Sequence, residues 1–225
     1  MDDFLERAIK TIEGKISIEP LSVPPEIETI KLPLGLITIR CYNWKADGIR
    51  KIYFMRLKSV FSFLDIAGTS IYPEPCLDIP IFNCDFNGMG KNVVPIINFV
   101  SLFDEPSYTE KYIQPMEAVY EQYKHFPRLQ PSDFMKAHLA PYCTFARVKK
   151  KHIEEVLECG IDYLNLYLDI LIKAEKNEDP SSQEKVKKAQ DHYINDLVTK
   201  DPSRKMLGKI IGKERAGRIF CEVLT

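Results

Sequence analysis

Residues 81–100 read IFNCDFNGMGKNVVPIINFV, and this stretch decides the fold. Two runs rich in β-branched and aromatic residues, at 76–86 and 92–100, flank Asn87-Gly88-Met89-Gly90, whose glycines are typical of a turn. The pattern predicts two antiparallel strands. Three similar runs precede them, at residues 35–44, 49–57 and 59–66. Because the gaps are of hairpin length, the sequence predicts a five-stranded antiparallel meander.

Helical patterns lie on both sides of the predicted meander. A short helix is expected at residues 2–15, followed by a proline-rich arm. After the meander, apolar residues recur at helical spacing, with a further strand candidate at 143–148. The predicted helices cover residues 108–126, 152–176 and 181–198, before a closing apolar segment at 201–224. A capping box at Ser181 to Glu184 is expected to begin the third of these helices. The distribution predicts an α+β sandwich.

Composition limits the class of protein. The chain has 225 residues, 45% of them apolar, which is enough for one domain spanning residues 1–225. Its 31 basic and 32 acidic residues give no overall charge that would favour nucleic acid or a membrane surface. Six cysteines show no metal-ligand spacing, and no run reaches the ~20 apolar residues of a membrane span. We expect buried, reduced thiols in a soluble, non-secreted monomer.

Asp85 stands out because it lies among Ile81, Phe82, Cys84 and Phe86. Burial among such neighbours raises the pKa of a carboxyl group and favours its neutral form. A neutral acid in an apolar pocket is suited to donate a proton to a substrate. The alternative interpretation is that Asp85 only opens the turn DFNGMG through a side-chain bond to the backbone. The residues alone leave both interpretations open.

Three further aspartates are candidates with strong structural alternatives. Asp201, in DPSR, has the pattern of a helix N-cap followed by proline. Asp65 either serves as a turn residue at a strand end before Gly68 or contributes a third acid to a pocket, and the simple interpretation of Asp78 is that it orders the proline turn. The four histidines lie in unrelated contexts, and the dinucleotide, P-loop and hydrolase motifs are absent from the sequence.

Two basic stretches, at 147–152 and 204–218, interrupt the neutral charge balance. Most charge runs are solvated faces, so this is the simplest interpretation. The alternative is a local site for an acidic protein or for the carboxylates of a substrate.

Two motifs at opposite ends of the chain make it recognisable. The first motif is YPEPCLDIPIFNCDF with the following VVPIINFVSL, and the second is the closing KDPSRKMLGKIIGKERAGRIFCEVL. Together they resemble the ferredoxin-dependent bilin reductases. The resemblance covers residues 35–224. It implies a three-layer α/β/α sandwich with a central antiparallel sheet and a bilin pocket between the sheet and the C-terminal helices.

The resemblance also implies a chemistry. Asp85 would protonate a linear tetrapyrrole, biliverdin or dihydrobiliverdin, and Asp201 would shape the pocket or supply a second proton. Electrons would arrive singly from reduced ferredoxin, an acidic [2Fe–2S] protein, with no cofactor bound to the chain itself. Arg204, one turn from Asp201, is expected to bind a propionate of the substrate. The basic stretches become candidates for ferredoxin docking, and the implied compartment is the cytoplasm or the plastid stroma.

One position departs from the family pattern. Several members carry His or Asn 17 residues before the central aspartate, and land plant phytochromobilin synthases carry Asp, whereas ungapped counting from Asp85 reaches Gly68. Asp65, in the plant-like segment LDIAG, would take this role if a small insertion at residues 69–71 shifted the alignment. The plant-like segments LDIAG and YTEKY favour A-ring reduction. The alternative reaction is reduction at the 15,16 bridge alone. The alternative class of protein is a non-catalytic tetrapyrrole carrier or a relative of red chlorophyll catabolite reductase.

Overall fold

A computed structural model describes residues 1–60 and 63–225, except for the side chain of Asp2. Within these ranges the chain forms one antiparallel sheet in the order β1-β3-β4-β5-β6-β7-β8, in which β2 also pairs with β3 and β9 with β7. The strands are β1 (Ile18–Leu21), β2 (Thr29–Lys31), β3 (Ile37–Ala46), β4 (Ile49–Ser59), β5 (Leu64–Pro73), β6 (Ile81–Met89), β7 (Asn92–Val100), β8 (Thr144–Phe145) and β9 (Val148–Lys149). The five long strands form the predicted meander.

The predicted strand boundaries were wrong at two places. The third strand, expected at residues 59–66, is β5 and continues through Gly68 to Pro73; Phe61 and Ser62 of that prediction lie outside the described residues. The fourth was expected from residue 76 but begins at Ile81. Glycine normally weakens a strand, so Gly68 suggested a boundary, but here it lies within regular pairing.

The helices are α1 (Asp2–Glu13), α2 (Pro25–Glu28), α3 (Pro106–Tyr108), α4 (Met116–Tyr123), α5 (Asp133–Lys136), α6 (Ile153–Lys173), α7 (Pro180–Lys200), α8 (Pro202–Ile211) and α9 (Lys213–Arg218). Tighter or wider helical turns occur at Pro33–Gly35, Thr109–Ile113, Lys150–His152 and Ile219–Val223. The predicted helix at 108–126 is therefore interrupted, and the proline-rich arm contains β1, α2 and β2. The strand candidate at 143–148 is divided between β8 and β9.

Helix α7 begins earlier than predicted. Asp179, and not Ser181, is its N-cap, and the Asp179 carboxylate accepts a hydrogen bond of 3.0 Å from the Ser182 backbone N–H. Pro180 occupies the first helical position, where its missing N–H leaves no intrahelical bond unmade. The capping box at Ser181 to Glu184 is therefore not the start signal.

One face of the sheet is covered by α1 and α6. The rings of Phe4, in α1, and Phe86, in β6, meet edge to face with centroids 4.6 Å apart. Gly160 lets α6 approach β6 closely, since a Cβ there would lie 2.6 Å from the Phe86 ring and 3.1 Å from Cys84 Sγ. This layer contains much of the apolar core.

The opposite face is covered by α7, α8, α9 and the C-terminal turn. The Gln190 side-chain N–H donates to the Pro73 carbonyl oxygen at 3.1 Å, and the Tyr72 hydroxyl donates to the Leu224 carbonyl oxygen at 2.6 Å. The three-layer α/β/α sandwich with a central antiparallel sheet is therefore confirmed.

The cysteines are only partly as predicted. Four are buried, but Cys76 is half-buried and Cys221 is exposed on the C-terminal turn, so the prediction of buried thiols is wrong for these two. All six are unpaired thiols in this structure. Among the described residues, no helix combines the length and the apolar character needed to cross a membrane.

The close approach at Gly160 gives a first prediction. Gly160→Ala should lower the free energy of unfolding by about 1–3 kcal/mol, because the new methyl group collides with Phe86 and Cys84. Urea unfolding measures this change. Gly208→Ala in α8 is the matched control, because its nearest neighbours lie at 3.7 Å or more and alanine there should stabilise the helix. Equal stabilisation by both variants would contradict the packing described here.

Candidate active site

Strand β6 has two chemically different faces. Phe82, Cys84 and Phe86 are fully buried beneath α6, whereas the alternating residues Asn83 and Asp85 keep part of their surface accessible. Asp85 lies in the middle of the strand, on the face directed towards the C-terminal helices. The alternative interpretation, in which Asp85 opens the following turn, is therefore wrong, because the strand continues to Met89.

The carboxylate of Asp85 lies over Gly68. The two residues are directly opposite each other in the pairing of β5 with β6, and a Cβ at Gly68 would overlap Asp85 Oδ1. Asn83 Nδ2 donates a 3.0 Å hydrogen bond to Asp85 Oδ2 and lies 3.0 Å from the Ser70 hydroxyl oxygen. Gly68 thus leaves room for the carboxylate, and Asn83 orients it.

The surroundings of Asp85 favour its neutral form. Burial raises its pKa from the ordinary 3.8 to about 7; the Asn83 hydrogen bond acts in the opposite direction, and the charge of Asp201 adds to the increase. The side chain lies deep in the protein but remains partly accessible. At neutral pH an acid of this kind can hold a proton and release it to a bound molecule.

Asp201 lies at the junction of α7 and α8. It is the N-cap of α8, and its Oδ1 accepts a 2.7 Å hydrogen bond from the Ser203 backbone N–H. Burial raises the pKa of Asp201, although the bonds from Ser203 partly offset this increase. The N-cap interpretation is therefore correct, and the same carboxyl group is close enough to Asp85 to influence its pKa. The structure brings these two predicted acids together.

Three buried tyrosines surround the pair of acids and were missed in the sequence. Tyr53 and Tyr72 come from β4 and β5, and Tyr193 from α7. Burial raises the pKa of all three well above its ordinary value, and the negative charge of Asp85 raises each pKa further. The pairing of Tyr53 with Ser70 places this tyrosine on the same sheet face as Asp85, and this register is seen only in the folded structure.

Asp65 is not part of this cluster. It lies on β5 three residues from Gly68, on the opposite face, and its carboxylate forms a 2.6 Å ion pair with Arg56. The insertion that would bring Asp65 beside Asp85 is not present, because the strands pair without a shift from Leu64 to Ile71. Asp65 is therefore placed as an ion-pair partner and not as a third acid of the pocket.

Arg204 and Asp78 have hydrogen-bond partners other than Asp85. The Arg204 guanidinium donates a 2.6 Å hydrogen bond to the Val198 carbonyl oxygen and thereby ties α8 to the end of α7. Asp78 accepts a 2.5 Å hydrogen bond from the Tyr112 hydroxyl. Asp78 thus orders the proline-rich connection before β6.

The sheet around Asp85 is partly uncovered. Met55, Val94 and Ile96 are half-exposed, and Ile96 pairs directly with Asp85. We call these three residues, together with Asn83 and Asp85, the open face. Two larger cavities, of about 610 Å³ beside Ala46 and Leu171 and about 440 Å³ beside Tyr108 and Val186, do not include Asp85. The open face thus combines accessible apolar side chains with an acid whose pKa is raised to about 7.

The candidate site is thus a partly accessible acid of raised pKa beside apolar side chains, on the central sheet of an α/β/α sandwich. The chain belongs to the ferredoxin-dependent bilin reductase family, whose profile, described as "Ferredoxin-dependent bilin reductase", matches residues 5–224. The family resemblance seen in the sequence is confirmed, and with it the class of ferredoxin-dependent oxidoreductases.

Individual relatives are moderately similar. The chain is 28% identical to a 15,16-dihydrobiliverdin:ferredoxin oxidoreductase of Nostoc punctiforme, over 98% of this chain and 93% of the relative. It is 23% identical to a chloroplastic phytochromobilin:ferredoxin oxidoreductase of Arabidopsis thaliana, over 99% and 69%. The crystal structure of tomato phytochromobilin synthase in complex with biliverdin has the same fold, with a TM-score of 0.91, 17% identity, and coverage of 99% of this chain and 82% of that one.

The raised pKa of Asp85 predicts a pH dependence of stability. Between about pH 4 and 7 the folded state holds a proton at Asp85 that the unfolded state has lost, so the free energy of unfolding falls as the pH rises through this window. Asp85→Asn should remove this loss. Its stability advantage over the wild type should grow by about 1–3 kcal/mol from pH 4 to pH 7 and then remain level, as urea unfolding at each pH would show. A constant difference would indicate an Asp85 of ordinary pKa.

The space above Gly68 gives a separate prediction. Gly68→Ala should displace the Asp85 carboxylate and break its bond to Asn83. The pKa of Asp85, measured by nuclear magnetic resonance on a 13C-labelled carboxyl group, should therefore change. Ala67→Gly, on the neighbouring residue that faces α1 and α6, should leave it within about 0.3 of the wild-type value. An unchanged pKa in Gly68→Ala would show that Asp85 does not need this space.

Proposed function

We propose that this chain catalyses the ferredoxin-dependent reduction of biliverdin or dihydrobiliverdin, with Asp85 as the proton donor. The observation that carries the proposal is the carboxyl group of raised pKa on the open face: its pKa is about 7, and it lies beside accessible apolar side chains. The family membership supplies the substrate class, and a solved relative of the same fold is complexed with biliverdin.

Each reduction of a bilin double bond requires two electrons and two protons. Reduced ferredoxin supplies the electrons one at a time, so the bilin becomes more basic after each transfer and takes up a proton. Asp85 delivers a proton from the sheet, and the bond from Asn83 stabilises the carboxylate that remains. Because burial disfavours that carboxylate, Asp85 recovers a proton through its accessible side before the next step. No resident cofactor takes part.

Asp201 is proposed as the second acid. It approaches from the helical side, and burial raises its pKa as well, so it can hold or relay a proton on the opposite side of the substrate. Arg204, at the same junction, is proposed to bind a propionate. Its guanidinium already bonds the Val198 carbonyl oxygen, which holds the arginine at the junction of α7 and α8.

The position of the reduced bond separates two candidate reactions. The plant-like segments LDIAG and YTEKY favour A-ring reduction to a phycoerythrobilin- or phytochromobilin-type product. A relative named for phytochromobilin agrees with this. Reduction at the 15,16 bridge is the second candidate, because the relative with 28% identity is named for 15,16-dihydrobiliverdin. Gly68 supplies no side chain beside Asp85, so this chain has one fewer polar group there than the plant pattern.

One assay tests the proposal. Purified protein, biliverdin, ferredoxin and an electron supply are combined without oxygen, and the products are identified by absorbance and chromatography. Asp85→Asn should lose product formation by at least 100-fold, a typical contribution of a positioned acid, while long-lived bilin radicals accumulate. Dihydrobiliverdin should also be supplied as substrate, because its consumption distinguishes A-ring from 15,16 chemistry.

The control for this assay is Asp65→Asn, which removes an acid from the opposite face. It should retain turnover in preparations whose circular dichroism shows a folded protein. Normal product formation by Asp85→Asn would refute the donor role. Stable binding of every bilin without reduction would instead identify a tetrapyrrole carrier.

A further inference from the structure

Exposed apolar side chains are concentrated at one end of the sheet. Of the exposed large apolar residues in the part of the chain that the structure describes, all except Ile172 lie there. We call them the apolar tip: Leu34, Leu36, Val60, Phe63 and Met89. Such clusters on a protein surface usually mark a site of interaction.

The strand connections bring the apolar tip together. The turn before β3, the end of β4, the start of β5 and the turn after β6 all lie at the same end of an antiparallel meander. Two backbone hydrogen bonds join them: Val60 N–H to the Leu36 carbonyl oxygen at 3.0 Å, and Gly90 N–H to the Phe63 carbonyl oxygen at 2.9 Å. The apolar tip is therefore a connected surface.

Leu34 is held in an unfavourable state. Its φ of 60° places the backbone in the left-handed region, which bulky side chains avoid, and its side chain is 93% exposed to water. The following Gly35 is also left-handed, with φ of 65°, so the turn projects Leu34 outwards. Within the free chain neither feature gains a compensating contact, but a partner protein covering Leu34 would supply one.

Lysines border the apolar tip. Lys31 and Lys58 flank Thr38 across three paired strands, and both side chains are exposed. On the other side, the Lys91 carbonyl oxygen accepts a 3.0 Å bond from the Lys150 N–H, and the exposed Lys149 pairs with Asn92. An apolar centre with a positive rim is complementary to an acidic protein.

The apolar tip is also close to the candidate active site. Met89 is four residues from Asp85 on β6, which corresponds to about 14 Å along an extended strand. Val94 continues the open face towards this end. Because the rate of electron transfer falls steeply with distance, an electron donor has to bind near the bilin, and this end of the sheet satisfies that requirement.

The exposed basic residues of α8 and α9 are the rival surface. They include Lys205, Lys209, Lys213 and Arg215. The described residues of these two helices contain no exposed large apolar side chain. Charge alone steers association, whereas desolvated apolar contacts usually provide much of the binding energy, so the apolar tip is the better docking surface.

We propose that the apolar tip and its bordering lysines form the docking surface for reduced ferredoxin. This inference rests on the proposed function, which supplies the need for that partner. The contact is of the small, weak kind that is usual for electron-transfer proteins. One electron passes from the reduced [2Fe–2S] cluster to the bilin during each encounter, and the oxidised ferredoxin then leaves.

The decisive variant is Leu34→Asn. Asparagine tolerates the left-handed backbone, so this variant should unfold at a higher temperature than the wild type. It should nevertheless bind a plant-type [2Fe–2S] ferredoxin about fivefold to tenfold more weakly, measured by calorimetric titration of the bilin-loaded protein. The KM for ferredoxin should rise by a similar factor, with kcat at saturating ferredoxin unchanged. A merely structural role for Leu34 would not combine higher stability with weaker docking.

Three further variants test whether ferredoxin binding depends on the charge and on the position of the substituted residue. Lys91→Glu should weaken ferredoxin binding and reduce its dependence on salt. Ile172→Gln, an exposed apolar residue away from the apolar tip, and Lys209→Glu, on the rival surface, should bind ferredoxin as the wild type does. If Lys209→Glu weakens binding and the Leu34 and Lys91 variants do not, the docking surface is on α8 and the inference is wrong.

Two separate measurements distinguish failure of the proposed function from failure of the docking surface. Binding of ferredoxin is measured without turnover, and bilin reduction is also followed with a small-molecule one-electron reductant that needs no docking surface. Absence of bilin reduction with either donor would refute the proposed function. Unchanged ferredoxin binding by Leu34→Asn and Lys91→Glu would refute the docking surface, whatever the activity.

Discussion

The alternation of β6 is the constraint on which the rest of the structure depends. Phe82, Cys84 and Phe86 must be covered by α6 and α1, and the period of two then fixes Asp85 on the other face. A shift of one residue in the pairing would bury the carboxylate under α6 and expose three core side chains. The same apolar packing that stabilises the fold therefore determines where the acid is presented.

The sequence predicted features that depend on neighbouring residues and missed those that depend on distant ones. Alternation and turn residues were enough for the meander, and the apolar neighbours of Asp85 were enough to suggest an acid of raised pKa. Gly68 was misinterpreted as a strand boundary because the reason for a glycine there, the side chain of Asp85, lies on another strand. The tyrosines escaped notice because Tyr53 comes from the central sheet and Tyr193 from a helix 140 residues later in the chain, in the layer beside it.

Asp179 and Asp201 show the limit of local reasoning most clearly. Each is followed by Pro-Ser, and each caps a helix through backbone N–H groups. Asp179 is exposed, and its hydrogen bonds to Ser182 lower its pKa, whereas burial raises the pKa of Asp201. The motif therefore determines the cap in both places, but only the tertiary environment decides which carboxyl group becomes a candidate acid.

The position of α1 also affects how the chain is assembled in the cell. Phe4 is synthesised well before its partners Phe86 and Gly160, which lie much further along the chain. The apolar side of α1 must therefore remain unburied during most of translation, when chaperones and aggregation compete for it. Completion of the sandwich depends on long-range contacts, which are slow to form. Helix α1 can therefore reach its final position only after the residues of β6 and α6 have been made.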